Sequence, residues 1–455
     1  PVDMAWQDQP AAPMAPIHPH PLSFSGEASA DKRVRLSEEL RAQKADAALL
    51  TAPHSLAWLF NIRGKDVHAS PLPLGRAILF ADGRADLFIA PQKVTEGLAE
   101  HLGQDVQIKD EASIEDALET LGQAKQSVLI DPSLTPLLYT KKLADAGAAL
   151  VKAPDPCALP RAIKNPSEQE GARAAHRRDG VAIARFLHWL DENATTGTVT
   201  EIGAASQLET FRRETNQLED ISFDTISGAG AHGAIVHYRV TTSTDQPLTQ
   251  NSLYLSDSGG QYKDGTTDIT RTVAVGTPTD EMRKHYTLVL KGHIALATAK
   301  FPAGTSGHQL DALARTPLWQ AGLDYGHGTG HGVGSYLGVH EGPQKISKHP
   351  ITQALLPGMI CSNEPGYYVE GAYGIRIENL IIVTEPSLVE NGTTPMMGFE
   401  TITLAPLDRR LIDKTIMTDN EVSWVDTYHT KVKDTLVAQI PANVVDWLEA
   451  ATAPL

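Results

Sequence analysis

Cysteine, long apolar runs and positive charge are all scarce in this sequence. Its 455 residues include only two cysteines, Cys157 and Cys361; they lie far apart, which predicts no disulfide framework and favours a reducing compartment. No segment approaches the ~18 consecutive apolar residues of a membrane span. Lysine and arginine number 39 against 55 acidic residues, for a formal net charge of −16. That balance argues against nucleic acid or an anionic membrane surface as a partner, since both need a basic face.

The chain is longer than one ordinary core, so two domains are expected. Residues 1–30 are rich in proline and predict an extended linker laid over a surface, with Trp6 as a candidate anchor. His18 and His20 could suggest a metal site, but the composition favours a solvated linker. Residues 31–157 alternate strands and helices around a hairpin at Asp82-Gly83, which predicts a compact α/β domain.

Residues 158–455 have a different pattern, in which long amphipathic helices precede and follow strand-rich segments. The prediction is an α+β domain with helices covering a bent antiparallel sheet and a helical tail. Within it, "GHGTGHGVGSYLGVHEGP" places His327 and His331 four residues apart. Alternating glycines oppose a helix here, because each costs about 1 kcal/mol against alanine. In an extended chain the two histidines would lie roughly 13 Å apart, so at most one of them should bind a given metal ion.

Four acidic residues stand in notable places of the same region. Asp257 and Asp268 are predicted on two strands joined by a glycine-rich turn in "LYLSDSGGQYKDGTTDITRT", so a hairpin can set them side by side. Glu364 is predicted at a strand that Pro-Gly stops, and Glu378 in the apolar strand "YGIRIENLIIV" with Arg376 on its face. An unpaired charge beside the core is costly, so these acids need partners.

A group of metal ions would supply such partners. Each acid taken alone is more simply a solvated or salt-bridged carboxylate, but together with a glycine-framed histidine that interpretation loses weight. Without a cation, two buried carboxylates would repel and one would stay protonated. Four carboxylates and one imidazole suit hard ions such as manganese. Carboxylates that bridge suit two metal ions about 3.5–4 Å apart. Such a pair activates a water and polarises a carbonyl, as peptide hydrolysis requires.

The ordered motifs "DSGGQYKDGTTDITRT", "GHGTGHGVGSYLGVHEGP", "NEPGYY" and "GIRIEN" resemble those of the pita-bread metallopeptidases. Within these, the chain is most similar to the Xaa-Pro aminopeptidases of the long, three-domain kind. The likeness includes "SLAWLFNIRGKDV" and "FDTISGAGAHGAIVHY" and extends over nearly the whole chain from about residue 31. It implies a creatinase/prolidase-like α/β domain at 31–157 and a pita-bread catalytic domain at 158–455.

The resemblance implies two divalent ions, manganese first, with zinc or cobalt as alternatives. Asp257 would bind one ion, Asp268 and Glu378 would bridge both, and His331 and Glu364 would complete the second. The bridging water, as hydroxide, would attack the carbonyl of an Xaa-Pro bond.

The remaining roles also follow from the resemblance. His237 and His340 would hydrogen-bond the peptide and steady the tetrahedral intermediate, and His327 would contact residues flanking the scissile bond. Glu364 would carry the proton to the leaving nitrogen. Arg376 would orient Glu378 or a neighbouring carboxylate, with a plain salt bridge as the alternative.

The same likeness predicts a cytoplasmic homodimer, paired through the catalytic domain, that acts on proline-containing peptides. The chain is expected to lack the N-terminal domain of the long subgroup, and its substrate affinity to be weaker as a result. Two alternatives remain. A prolidase would cleave Xaa-Pro dipeptides with the same ligands, and a non-catalytic module of this fold would only bind peptides.

Overall fold

The computed structural model describes residues 2–455, and the chain divides into two compact units between Ala158 and Leu159. The helices of the first unit are α1 Val2–Ala5, α2 Leu22–Ser25, α3 Ser29–Ala42, α4 Pro53–Leu59, α5 Leu98–Leu102, α6 Ile114–Gln123 and α7 Leu137–Ala146. Its strands are β1 His18–Pro19, β2 Ala47–Leu50, β3 Ile62–Arg63, β4 Arg76–Phe80, β5 Ala85–Ile89, β6 Val106–Asp110, β7 Ser127–Ile130 and β8 Ala149–Lys152.

A six-stranded mixed sheet, in the order β6-β5-β4-β2-β7-β8, forms the centre of this unit. Strand β4 is antiparallel to both of its neighbours, whereas the outer pairs are parallel. The predicted hairpin is confirmed, and Gly83 adopts φ 89° in the left-handed region that its turn requires. Helix α5 begins at Leu98, after a turn at Glu96 and Gly97 in which Gly97 has φ 79°.

The proline-rich stretch before residue 30 includes a segment that packs onto this unit. Residues 9–16 carry no regular structure. Ile17 is fully buried, β1 pairs antiparallel with β3, and Trp6 is 47% exposed. Within residues 2–455, no helix has the length and apolarity needed to cross a bilayer.

The second unit contains the remaining elements. Its helices are α8 Ala158–Ala162, α9 Pro166–Asn193, α10 Glu201–Arg213, α11 Asp280–Ala297, α12 Gly307–Gln320, α13 Asp419–Leu436 and α14 Ala442–Ala451. Its strands are β9 Asp220–Ile221, β10 Ile226–Ala229, β11 Ser252–Ser258, β12 Gly260–Tyr262, β13 Gly265–Thr266, β14 Ile269–Val275, β15 Phe301–Pro302, β16 Gly330–Gly332, β17 Glu341–Ile346, β18 Ile360–Asn363, β19 Gly366–Val369, β20 Tyr373–Arg376, β21 Asn379–Val383, β22 Ser387–Leu388, β23 Pro395–Met397 and β24 Phe399–Thr401.

Antiparallel sheets under long helices define the architecture of this unit, as the sequence predicted. A three-stranded sheet has the order β10-β11-β14, and a five-stranded sheet has the order β17-β16-β18-β21-β24. Helix α9 begins at a capping box in which Asn165 and Glu168 bond each other's backbone amides. Apolar side chains of α11 and α13, among them Val289 and Val432, share one core cluster with Leu253 of β11 and Ile375 of β20. The helices thereby hold the strands that carry the acidic residues.

Candidate metal centre

Asp257 and Asp268 lie at the ends of two paired strands. Asp257 belongs to β11 and faces Thr270 of β14 in the antiparallel register, and Asp268 comes directly before β14 rather than within it. The chain between them forms β12 and β13, which pair as a hairpin. Gly259 allows the close return of this hairpin, because a Cβ there would lie 1.9 Å from the carbonyl oxygen of Thr267. Both carboxylates are less than a tenth exposed.

His331 projects from the short strand β16, which confirms that this glycine-rich segment is extended and not helical. The pairing of β16 with β17 shifts register between His331 and Gly332, an irregularity that redirects side chains. Nδ1 of His331 lies 3.0 Å from the carbonyl oxygen of Gly332 and donates to it. Nε2 therefore carries the lone pair, 3.4 Å from Oδ2 of Asp268 and 3.5 Å from Oε1 of Glu364. A second-sphere bond of this kind prepares a histidine for a metal ion.

Glu364 and Glu378 lie at the ends of two neighbouring inner strands of the five-stranded sheet. Glu364 directly follows β18, and Glu378 directly precedes β21. Both were predicted inside strands, and both lie just outside because the backbone amides of the two glutamates bond Thr329 and Thr270 instead of the ladder. The hydroxyl of Ser362 donates to Glu364 Oε1 at 3.1 Å, and that of Thr270 donates to Glu378 Oε2 at 2.8 Å. Neither hydroxyl was singled out from sequence as an orienting group, although period-2 alternation puts Thr270 on the same face as Asp268.

The five predicted ligands form overlapping groups whose ligand atoms lie within 4.8 Å of one another. One group is Asp257, Asp268 and Glu378; a second is His331, Glu364 and Glu378. A third joins Asp268 and His331 to His340, although the sequence predicted a substrate contact for His340. Because Glu378 belongs to two of the groups, its carboxylate can face two ions at once.

The electrostatics of these groups show that the site fits cations. Burial, followed by repulsion from neighbouring carboxylates, raises the pKa of Asp268 and of Glu378 well above their ordinary values. Burial also raises the pKa of Glu364. Oδ1 of Asp257 is buried and has no hydrogen-bond partner. An unpaired buried oxygen among crowded carboxylates is costly, and a divalent ion would satisfy it.

Arg376 links the cluster to the predicted substrate side. Its Nη2 donates to Oδ2 of Asp257 at 2.6 Å, and its Nε donates to the Thr270 hydroxyl at 3.1 Å, which in turn bonds Glu378. Its Nη1 donates to the hydroxyl of Tyr368 at 2.7 Å. Burial lowers the pKa of Arg376, but interactions with Tyr368 and Asp257 outweigh it and raise that pKa well above the ordinary value. The carboxylate that Arg376 contacts directly is thus Asp257, and it reaches Glu378 only through Thr270.

The three remaining histidines lie around the cluster. Nδ1 of His327 donates to the Gly328 carbonyl at 2.7 Å, and Nε2 accepts from Tyr368 at 2.8 Å. The rings of His331 and His340 are 4.2 Å apart, edge to face. The exposed His237 lies near both His327 and His340. Desolvation by the surrounding protein is the largest cause that lowers the pKa of both His327 and His340 to about 4, and Arg376 contributes to the lowered pKa of His327. His327 and His340 are therefore neutral at pH 7, which suits hydrogen bonding to a peptide.

Three sequence models of known families match consecutive parts of the chain. Metallopeptidase family M24 matches residues 170–385, the Creatinase/Prolidase N-terminal domain matches residues 8–168, and the C-terminal region of peptidase M24 matches residues 395–455. The matches fit the observed α/β first unit and the antiparallel second unit, and they confirm the fold class. The N-terminal domain of the family is present, so the expectation that this chain lacks it is wrong.

Individual relatives resemble the chain along its whole length. A protein of Aspergillus fumigatus named "Probable Xaa-Pro aminopeptidase P" is 41% identical over 100% of this chain and 71% of its own length. One of the same name from Paracoccidioides brasiliensis is 40% identical over 100% of this chain and 76% of its own.

Solved structures show the same likeness. An X-prolyl aminopeptidase from Caenorhabditis elegans, described as a cytosolic enzyme with a di-nuclear active site, has TM-score 0.93 at 33% identity and covers 100% of this chain and 75% of that one. A Xaa-Pro dipeptidase from Bacillus anthracis has TM-score 0.68 at 26% identity and covers 84% of this chain and 99% of that one.

Proposed function

The chain belongs to the Xaa-Pro aminopeptidase family of M24 metallopeptidases, and from that membership we propose how its residues perform the reaction. The enzyme releases the N-terminal residue from peptides with proline in second position. One observation supports the residue assignment most strongly: Glu378 belongs to two of the overlapping ligand groups, beside a buried Asp257 oxygen that has no hydrogen-bond partner among the described residues. We also propose the division into a linker at 1–30, a first domain at 31–157 and a catalytic domain at 158–455. The two compact units support the boundary near residue 158, and they group residues 1–30 with the first domain.

Asp257, Asp268, His331, Glu364 and Glu378 would hold two divalent ions, with Asp268 and Glu378 shared between them. Bound there, the ions would polarise the scissile carbonyl and lower the pKa of a water to near neutrality. Oxygen-rich ligands favour manganese, with zinc and cobalt as weaker candidates. The family relative from Caenorhabditis elegans has a di-nuclear site, which supports this count.

Proton transfer falls to Glu364 in this proposal. The hydroxyl of Ser362 fixes Oε1, so the proton is carried at a defined position beside His331. The acceptor at the end of the reaction is the proline nitrogen, which has no hydrogen of its own in the peptide bond.

Peptide binding is assigned to the three histidines around the cluster. His340 and the exposed His237 would hydrogen-bond the carbonyl oxygens of the substrate and the developing oxyanion. Both ring nitrogens of His327 already have partners, so this residue would meet the flanking residues through its ring surface. Arg376 would act on the reaction by holding Asp257, a positioning role.

Steady-state hydrolysis of an Xaa-Pro-Yaa tripeptide and an Xaa-Pro dipeptide tests this proposal, after chelation and after adding back manganese, zinc or cobalt. We expect metal-dependent cleavage of the tripeptide, fastest with manganese. His340→Gln should lower kcat by about 10²–10³-fold, the cost of losing one transition-state donor. The exposed His349 offers a matched control, and His349→Gln should leave the rate unchanged. Cleavage of the dipeptide alone would move the assignment to a prolidase, and metal-independent cleavage would contradict the proposed site.

We further propose a cytoplasmic homodimer, paired through the catalytic domain. The cytosolic relative from Caenorhabditis elegans supports the location. Sedimentation of the purified protein at monomer mass would contradict the dimer.

A further inference from the structure

A chain of buried polar side chains runs behind the two glutamates, from helix α11 to helix α13. Its members are His293, Asn363, Asn379, Arg271 and Tyr428, and each is at most 5% exposed. The reaction proposed above uses none of them. Buried polar groups of this number are costly unless they bond one another well, and networks that do so rigidify their surroundings.

The sheet register places this network directly opposite the ligands. Asn363 of β18 pairs with Asn379 of β21, and each asparagine is the chain neighbour of a proposed ligand, Glu364 or Glu378. Successive residues of a strand point to opposite faces. The contacts agree with this alternation at the strand ends: the two glutamates belong to the ligand groups, and the side chains of the two asparagines bond His293 of α11 on the other side.

His293 bridges the two asparagines across this interior face. Its Nδ1 donates to the carbonyl oxygen of Asn363 at 3.1 Å, and its Nε2 accepts from the side-chain amide of Asn379 at 3.1 Å. The amide of Asn363 donates back to the carbonyl oxygen of His293 at 2.9 Å. The two bonds of the ring nitrogens require one neutral tautomer, with the proton on Nδ1. Burial lowers the pKa of His293 to about 3, so the ring is neutral at neutral pH.

Arg271 and Tyr428 extend the network to the backbone of Glu378. The Arg271 guanidinium donates to the Glu378 carbonyl oxygen at 2.7 Å and to Oδ1 of Asn379 at 2.8 Å. It also donates to the hydroxyl of Tyr428 at 3.0 Å, and Tyr428 donates to the carbonyl oxygen of Ala405 at 3.0 Å. Within the described part of the chain, the Arg271 guanidinium donates hydrogen bonds to carbonyl, amide and hydroxyl oxygens. The rigid fork of the guanidinium thus acts here as a geometric clamp.

We propose that these five residues form a positioning network that fixes the separation and orientation of Glu364 and Glu378, and so sets the affinity of the site for its ion pair. This inference rests on the metal ligands proposed above. The four carboxylates repel one another when no ion is bound, so the strands that carry them tend to separate. Hydrogen bonds across β18 and β21 from behind oppose that separation, which lowers the cost of assembling the site when ions bind.

Calorimetric titration of the chelator-stripped protein with Mn²⁺ alone tests the network, with the thermal midpoint of the stripped protein measured alongside. We expect His293→Gln and Asn379→Ala each to weaken Mn²⁺ binding by about 10–100-fold. The double variant should lose little more than the worse single variant, because both changes break one bridge. Tyr428→Phe keeps the ring and removes only the distant hydroxyl, so it should weaken binding by a few-fold.

His429 provides the matched control. It is also fully buried, and its Nε2 accepts a hydrogen bond from the backbone amide of Leu407 at 3.1 Å, a bond that includes neither glutamate and neither asparagine. His429→Gln should lower the thermal midpoint while Mn²⁺ affinity stays within about twofold of the parent.

Two results would overturn the proposal that these residues position the ligands. One is unchanged Mn²⁺ affinity in a folded His293→Gln, or in Tyr428→Phe if the histidine variant does not fold. The other is an equal loss of affinity in His429→Gln, which would mark a general effect of lowered stability. If the parent protein binds fewer than two ions, the result contradicts the proposed ligand set itself, and not only the positioning network.

Discussion

Two buried carboxylate sites in the second unit differ in how their charge is balanced. Asp179 of α9 meets Arg212 of α10 through two bonds of 2.8 and 3.1 Å, and Tyr262 donates to it at 2.8 Å. Burial alone would raise the pKa of Asp179, but the charge and hydrogen bonds of Arg212 outweigh burial and lower that pKa below its ordinary value. The chain itself therefore supplies the positive charge that balances Asp179.

The carboxylate cluster at the metal centre has the opposite balance. Four acids face one arginine in contact, Arg376, and the imidazole of His331. Burial and mutual repulsion raise the pKa of Asp268 and Glu378 instead of lowering it. The comparison teaches that burial by itself does not distinguish a structural acid from a metal ligand. The distinguishing feature is whether the protein supplies enough positive charge.

The largest expected effect comes from neutralising the shared ligand. Glu378→Gln should lower kcat/KM by about 10³-fold or more, because the ions contribute several kcal/mol to the transition state. The stripped variant should nevertheless unfold at a higher temperature than the stripped parent, since the change removes one repelling charge. Hydrolysis assays and thermal unfolding measure the two effects. The exposed Glu385 serves as control, and Glu385→Gln should change neither; a Glu378→Gln enzyme within tenfold of the parent would remove this residue from the site.

The second prediction removes the positive charge from the Asp179–Arg212 site. Arg212→Gln leaves the charge of buried Asp179 without its cationic partner and should lower the free energy of unfolding by about 3–5 kcal/mol. Arg213, the next residue of the same helix, pairs with Glu209 at the surface, where the two side chains are 57% and 35% exposed. Arg213→Gln should therefore cost no more than about 0.5 kcal/mol. Urea unfolding of both variants gives the comparison, and equal losses would show that burial does not decide the strength of these pairs.

The smallest expected effect is a difference in pH dependence between stripped and loaded protein. In the stripped protein the folded cluster binds more protons than the unfolded chain, because its pKa values are raised. Its contribution to stability is complete below the ordinary carboxyl pKa of about 4 and decreases as the pH rises towards the raised values.

Unfolding free energies measured between pH 5 and 8 test this sign. Stability of the stripped protein should fall across that range, and Glu378→Gln should flatten the fall because one titrating group is gone. Saturating Mn²⁺ should reverse the slope, since metal binding displaces protons. A stripped parent whose stability rises with pH would contradict the unbalanced cluster.

Much of this organisation could be predicted from sequence because it depends on local patterns. Glycine periodicity correctly opposed a helix around His331, and the Asp82-Gly83 pair correctly predicted a hairpin. The order of the acidic motifs identified the family. The family's N-terminal domain was wrongly expected to be absent, since a likeness read from motifs does not fix where a domain begins.

Other features depend on contacts between distant segments, and no local pattern carries them. Asp268 and Glu378 lie just outside their predicted strands. The backbone amide of Glu378, for example, bonds Thr270, which is far away in the sequence. Arg376 could have met any carboxylate on its face, and the structure pairs it with Asp257, 119 residues earlier. The bridge from His293 to Asn363 and Asn379 joins a helix to two strands and has no signature in the sequence.

The amino-acid sequence is enough to specify the proposed chemistry of the site: hard oxygen ligands, one imidazole and further histidines around them. The fold alone specifies its electrostatics, because desolvation and charge repulsion depend on distances between residues far apart along the chain. Asp179 and Asp268 are the same residue type and equally buried. One has a low pKa and the other a high one because the fold places Arg212 beside the first and three further carboxylates around the second.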